Sequence, residues 1–439
     1  MSMLVRKIYQ KLLKWKQEPN HKPLLIKGAR QVGKTFIVKE FGKNEYSSFI
    51  HIDFIKNPEY KIIFESSLDY KNLYEQISLR VKNAKLIKNK TLIFLDEIQR
   101  CPNARTALKY LNESKDYDVI ASGSLLGIHY NEDNSKNLSI PVGSEEDIEM
   151  YSLDFEEFLW AIGVSEESIL ILKKYFINRE RIPQDVNEQY INYFKTYIFT
   201  GGMPDVINTY ISNNNLEAVN KKQNDILKNY QDDIMHYATN TMKQKILDCY
   251  NSIPEQLSKE YKKFQYSKVG KSGTAKKYDS AINWLIDAGM VKKCVNVSTI
   301  QFPLRAFQKI NEFKLYMTDI GLLTCLYGFN TQKAIMADEL KTTAKGGIYE
   351  NAVFTQLMHK FSNMFYYKKE TNSQEIEFIF EKDTKIIPIE VKSKNGKTVS
   401  LNEFIKDYSP SIAYKFIDGN LGLKDGKLTL PYYMLLYDL

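Results

Sequence analysis

Cysteine is scarce in this chain, and its placement excludes more than its number does. Cys101, Cys249, Cys294 and Cys325 stand far apart, with no CxxC pair and no histidine at metal-ligand spacing, so neither a disulfide framework nor a zinc site is expected. Long apolar runs are also missing. No stretch approaches the ~18 uninterrupted apolar residues of a membrane span. The N-terminal MSMLVRKIYQKLLKW mixes Arg6, Lys7, Lys11 and Lys14 into its apolar residues, which predicts an amphipathic helix rather than a signal peptide. The expectation is a soluble, cytoplasmic protein with no membrane partner. Charge of one sign is only mildly in excess. A net charge of +8 over 439 residues decides little about nucleic acid. Aromatic residues are not lacking: 30 Tyr and 23 Phe argue against disorder.

The length exceeds what one hydrophobic core usually supports, so two or more domains are expected. Near the N-terminus a short apolar strand pattern, Pro23 to Lys27, leads into Gly28-Ala29-Arg30-Gln31-Val32-Gly33-Lys34-Thr35, and Phe36 opens a helix-like segment. This is GxxxxGK[ST] in strand-loop-helix context. Its backbone N–H groups and the positive end of the helix suit phosphate oxygens, Lys34 suits the β- and γ-phosphates, and the Thr35 hydroxyl suits Mg²⁺. A cation shared with ATP also needs a carboxylate from a second strand. Thr91-Leu92-Ile93-Phe94-Leu95-Asp96-Glu97 offers one, with Asp96 as metal partner and Glu97 as the base that polarises water. Ser48 to Asp53 predicts another strand between these two in the chain, an order that favours the ATPase branch over GTPase-like folds. Asp118 to Ala121 predicts a further strand ending in Ser122-Gly123-Ser124, where Ser122 and Ser124 either sense the γ-phosphate and position water or cap the next helix.

GARQVGKT, LIFLDEIQRCPN, ASGSLLG and DFEEFLWA, taken in order, resemble the AAA-type ATPase domain of a large bacterial and archaeal family of ATP-binding proteins. The resemblance continues through Gly201 to Asp205, Phe313 to Tyr316, Asp319 to Leu323, and Gly347 to Glu350. It implies an ATP phosphohydrolase using ATP and Mg²⁺, paired with a C-terminal domain of unknown function. Members often carry Gly-Arg before the DFEEF-like segment, and that arginine can act as a finger. Here the pair is Gly143-Ser144, with Arg100 and Arg105 as substitutes.

Beyond residue 165 the apolar spacing is mostly helical to about Pro254, and Gly201-Gly202 with Pro204 marks either a turn near the nucleotide or a plain loop. Thr274 to Leu285 predicts a helix ended by Gly289, followed by strand-like pieces through Val291, Val295 and Val297, in outline a winged helix. Seven lysines against Glu260 lie between Lys259 and Lys277, which suits either DNA phosphates or a solvated, protein-docking face. In the C-terminal part, Glu350 on a helix-like segment, Glu377 on one strand, and Glu390 with Lys392 on the next resemble the PD-(D/E)xK nuclease fold. Glu377 takes the usual aspartate position.

The expected architecture is α/β. An AAA-type (ASCE/AAA-like) P-loop domain with a parallel sheet occupies 1–164, a helical lid or connector 165–255, a winged-helix-like domain 256–332, and a small PD-(D/E)xK nuclease-like α/β domain 333–439. The expected function is Mg²⁺-dependent ATP binding and hydrolysis coupled to nucleic acid. An ATP-gated nuclease, or a regulatory switch acting on a protein partner, is the alternative. A homo-oligomer stays open.

Overall fold

The apolar run Thr91–Asp96 forms a strand buried at every position, as a strand in the interior of a parallel sheet covered on both faces must be. The computed structural model describes residues 4–124, 143–271, 273–369, 374–392 and 398–439. In it this strand, β3, belongs to a five-stranded sheet in the order β2-β3-β4-β1-β5. The other members are β1 (Leu24–Gly28), β2 (Ser48–Asp53), β4 (Asp118–Ser124) and β5 (Glu146–Glu149). Every pairing is parallel. β4 thus lies between the strand before the glycine-rich loop and the strand carrying Asp96, so those two are neighbours neither in the chain nor in the sheet. Leu25, Ile52, Ile93, Leu95 and Ala121 pack from the sheet against Ile77, Leu108 and Leu111 of the covering helices.

The chain forms two compact units. One comprises Arg6–Tyr151 with Asp287–Gly289; the other runs over Ser152–Ile286 and Met290–Leu439. The division falls at Tyr151, within the first of the four segments expected from the sequence. The stretch read as a helical connector is helical in fact, with helices Glu166–Asn178, Gln184–Thr200, Pro204–Asn213, Leu216–Tyr237 and Asn240–Leu257.

The hairpin read as a wing has a wider role. β6 (Val291–Val297) pairs antiparallel with β7 (Gln308–Met317), and its other edge pairs in parallel with β8 (Phe365–Lys368). Both hairpin strands therefore belong to one eight-stranded sheet with β9 (Glu375–Lys382), β10 (Lys385–Val391), β11 (Ala413–Ile417), β12 (Gly422–Lys424) and β13 (Lys427–Pro431). The order is β12-β13-β11-β10-β9-β8-β6-β7. Val297, Phe365, Tyr367, Ile376, Ile379, Phe404 and Ala413 share one core across it, so the burial that holds the hairpin is the C-terminal sheet's own.

Gly201-Gly202 and Asp319-Ile320-Gly321 meet in this unit. The Gly202 N–H donates to Asp319 Oδ2 at 2.8 Å, and Leu322 N–H to Asp319 Oδ1 at 3.0 Å, capping the helix Ile320–Leu326. Gly201 has φ +72°, and a Cβ there would lie 2.3 Å from Asp319 Oδ1. Only glycine satisfies both the conformation and the close approach.

Candidate functional site

β1 ends at Gly28, where a Cβ would fall 2.1 Å from the Met150 carbonyl oxygen, and the loop turns through Gly33 (φ +97°) straight into the helix Lys34–Glu45. The first N–H groups of that helix have no intrahelical acceptor and face the loop. Arg6 donates to the carbonyls of Val32, at 3.0 Å, and Tyr151, at 2.8 Å, fixing the loop from outside. The buried Lys34 ammonium donates to the carbonyls of Gly28 and Ala29 at 2.9 and 2.7 Å. Burial pulls its pKa down to about 8, while Glu97 and Asp96 pull the other way.

Asp96 is the centre of the arrangement. Its Oδ1 accepts from Thr35 Oγ1 at 3.1 Å and, very closely, from Ser122 Oγ. Its Oδ2 lies 3.2 Å from His51 Nε2. Burial alone would raise the Asp96 carboxyl pKa, but the hydrogen bonds from His51, Ser122 and Thr35 outweigh it and hold the group below its ordinary value. Glu97 follows with a left-handed backbone, φ +56°, a conformation that costs a non-glycine residue about 1 kcal/mol or more. Gln99 Nε2 donates to Glu97 Oε2 at 2.6 Å and reaches Ser124 Oγ at 3.4 Å.

The segments Gly28–Thr35, Asp96–Glu97 and Ser122–Ser124 therefore converge at the C-terminal ends of adjacent parallel strands. His51, Asp53 and Gln99 join them although the motifs do not include them. The available signals were the two-residue spacing of His51 and Asp53, which puts both on one face of β2, and an amide two residues after Glu97. Of the residues considered for an arginine finger, Arg105 pairs with Glu145 at 3.1 Å. Leu125 to Gly127, the end of the ASGSLLG motif, lie outside the described residues.

Oxygen donors 3.1 Å apart suit Mg²⁺, whose octahedral shell at 2.0–2.1 Å separates neighbouring ligands by roughly 2.9 Å. Thr35 and Asp96 thus fit as a pair for that ion.

In the C-terminal sheet, Glu377 and Glu390 lie on the antiparallel pair β9 and β10. Lys392 Nζ contacts Glu377 Oε1 at 2.5 Å, and Val391 N–H donates to Glu377 Oε2 at 3.2 Å. Among the described residues neither Glu390 oxygen, both buried, has a hydrogen-bond partner. Glu350, on the helix Thr343–Met358, is placed differently. Lys314 on β7 holds its Oε1 at 2.9 Å and Lys262 its Oε2 at 3.0 Å, with Tyr316 donating as well. Lys314 also pairs with Glu375 at 2.6 Å. The two ammonium groups outweigh burial and keep Glu350 ionised. Glu350 is thus fully engaged by the chain's own cations.

Three lysines of the basic stretch are already engaged: Lys262 with Glu350, Lys263 with Glu312 at 2.9 Å, and Lys259 with Gln256 at 3.0 Å. Lys268, Lys271, Lys276 and Lys277 are exposed.

Residues 20–159 match the AAA domain family, in agreement with the parallel sheet and the glycine-rich loop, and this part of the chain has the P-loop NTPase fold. Residues 191–333 and 345–434 match two domains of unknown function, DUF8612 and DUF4143. The chain is 26% identical to the uncharacterized protein MJ1544 of Methanocaldococcus jannaschii, over 95% of this chain and 84% of that one. Among solved structures it is similar to the Walker-type ATPase PABY2304 of Pyrococcus abyssi, at 13% identity and a TM-score of 0.44, over 74% of this chain and 96% of that one. It is also similar to the ORC2 protein of Aeropyrum pernix, at 13% identity and a TM-score of 0.39, over 76% and 93% of the two chains. Among the described residues no helix is long and apolar enough to cross a membrane.

Proposed function

We propose that the chain is a Mg²⁺-dependent ATPase whose turnover is coupled to nucleic acid engaged by its C-terminal half. The observation that carries the ATPase reading is the 3.1 Å approach of Thr35 Oγ1 to Asp96 Oδ1 beside the buried Lys34, with Glu97 next in sequence. Lys34 and the loop N–H groups bind the triphosphate. Thr35 and Asp96 would hold the Mg²⁺ that ATP brings, and the ion would supply positive charge against that developing on the phosphates. Glu97 takes the proton of the attacking water, with Gln99 fixing the orientation of its carboxylate. Ser122 orients Asp96, and Ser124 steadies Gln99.

The test is a pair of variants. Lys34→Ala is expected to lose nucleotide binding. Glu97→Gln is expected to bind ATP at the parent affinity while hydrolysis falls about 10²- to 10⁴-fold, the usual worth of a general base. Parent-rate hydrolysis by Glu97→Gln would remove Glu97 from that role.

A second reading, a metal-dependent nuclease in the C-terminal sheet, is favoured by one observation: the two buried oxygens of Glu390, without a hydrogen-bond partner among the described residues, in the sheet that also carries Glu377 and Lys392. Glu377 and Glu390 would hold the ion, which would supply an activated water. Lys392 would stabilise charge on the scissile phosphate.

A further inference from the structure

Asp96 presents its two oxygens to two different sides. Oδ1 faces Thr35 and Ser122, whereas Oδ2 faces His51 and β2. On that second side Asp53 lies directly across from Asp96 in the parallel register, so two carboxylates stand opposed on neighbouring strands. Like charges in direct register repel. Among the described residues neither makes an ion pair with lysine or arginine, and the Lys34 ammonium is held by loop carbonyls. The nitrogen that does reach this side is His51 Nε2.

One donor atom from each of His51, Asp53 and Asp96 lies within 4.8 Å of the other two. The 3.2 Å between His51 Nε2 and Asp96 Oδ2 is close to the roughly 3 Å between neighbouring ligands bound at about 2.1 Å. The donors are also held in place. The His51 ring stacks on Phe94 at 5.0 Å and on Phe49 at 6.2 Å. Asp53 Oδ1 accepts the N–H groups of Ile55 and Lys56 at 3.0 and 2.9 Å, which fixes its carboxylate. Such supporting contacts are what orient metal ligands. The His51 side chain is 21% exposed, so an ion has a way in.

We propose that His51, Asp53 and Asp96 form a second divalent-cation site at the edge of the nucleotide site, sharing Asp96 with the Mg²⁺ position. With one imidazole among its donors it takes an ion of the Mn²⁺ to Zn²⁺ series in preference to Mg²⁺. This rests on the ATPase reading only for the role of Oδ1; the donor set stands without nucleotide.

The experiment uses the full-length chain without nucleotide, with Mn²⁺ as probe. Bound ion is counted by continuous-wave electron paramagnetic resonance, and imidazole ligation is read from ¹⁴N modulation in the pulsed spectrum. Wild type and Lys34→Ala are each expected to bind one Mn²⁺ with a nitrogen signal. His51→Ala is expected to abolish that signal and, like Asp53→Asn, to weaken binding by about tenfold or more. No nitrogen signal in the wild type overturns the proposal, as does unchanged affinity in Asp53→Asn. Absence of Mg²⁺–ATP turnover in the wild type alongside its Mn²⁺ signal would count against the ATPase reading alone.

Discussion

At the scale of single residues, Glu390 is a costly group to bury in the C-terminal sheet. Burial, and then the neighbouring Glu377, push its pKa from 4.5 up to about 7. A carboxyl whose pKa is higher folded than unfolded is protonated more readily in the fold, so its contribution to stability falls as pH rises from about 4.5 to about 7, and the full cost is present above that. The shift corresponds to a penalty on the order of 3 kcal/mol. Glu390→Gln is therefore expected to unfold at a higher temperature than the parent at pH 8, with the gap closing towards pH 5. Parallel pH profiles in thermal melts would contradict it. The same variant tests the nuclease reading: any Mg²⁺- or Mn²⁺-dependent cleavage of DNA should disappear with it.

Residues of this kind were partly legible beforehand. Lys34, Thr35, Asp96 and Glu97 sit in motifs whose spacing is set by phosphate and Mg²⁺ chemistry, and the motif states where they must lie. His51 belongs to no motif, and the Phe313 to Tyr316 stretch that carries Lys314 assigns it no role. Their importance comes from which strand pairs with which, and one sequence does not reveal that Asp53 faces Asp96 or that β7 brings an ammonium under Glu350.

At the scale of elements, the junction of Gly201-Gly202 with Asp319-Gly321 ties two helical segments through one carboxylate. Gly201→Ala would place a methyl against Asp319 Oδ1 and the Gly321 nitrogen, at 2.3 and 2.7 Å, on a backbone with φ +72°. The expected loss is about 3 kcal/mol or more, from overpacking added to left-handed strain. Gly163→Ala is the control. Its φ is +88°, but nothing lies within 4 Å of the added carbon, so about 1 kcal/mol is expected. Equal losses in denaturant unfolding would show that the contact contributes nothing. Strand and helix types were readable from apolar spacing, as in the fully buried β3. The partner of the Gly-Gly turn was not, because a turn signal marks a bend and not what the bend packs against.

At the scale of the whole molecule, four exposed lysines in the 268–277 stretch set an upper limit on any nucleic-acid contact made there. If all four neutralise phosphates, the logarithm of duplex affinity should fall with the logarithm of salt at a slope of roughly −3.6. Reversing Lys276 and Lys277 to glutamate should flatten that slope by about 2 units. A slope unmoved by the reversal, read by fluorescence anisotropy between low and physiological salt, would move the contact elsewhere. The sequence suggested seven lysines. The structure uses three of them on its own side chains.

The parallel pairing of β6 with β8 bears on how the chain can be divided. A fragment beginning at residue 333 would leave β8 stripped of its neighbour β6, presenting unpaired backbone donors and acceptors and the apolar side chains of Phe365 and Tyr367 to solvent. Such an edge invites pairing with another copy. The smallest soluble piece of the C-terminal sheet must therefore begin before Val291.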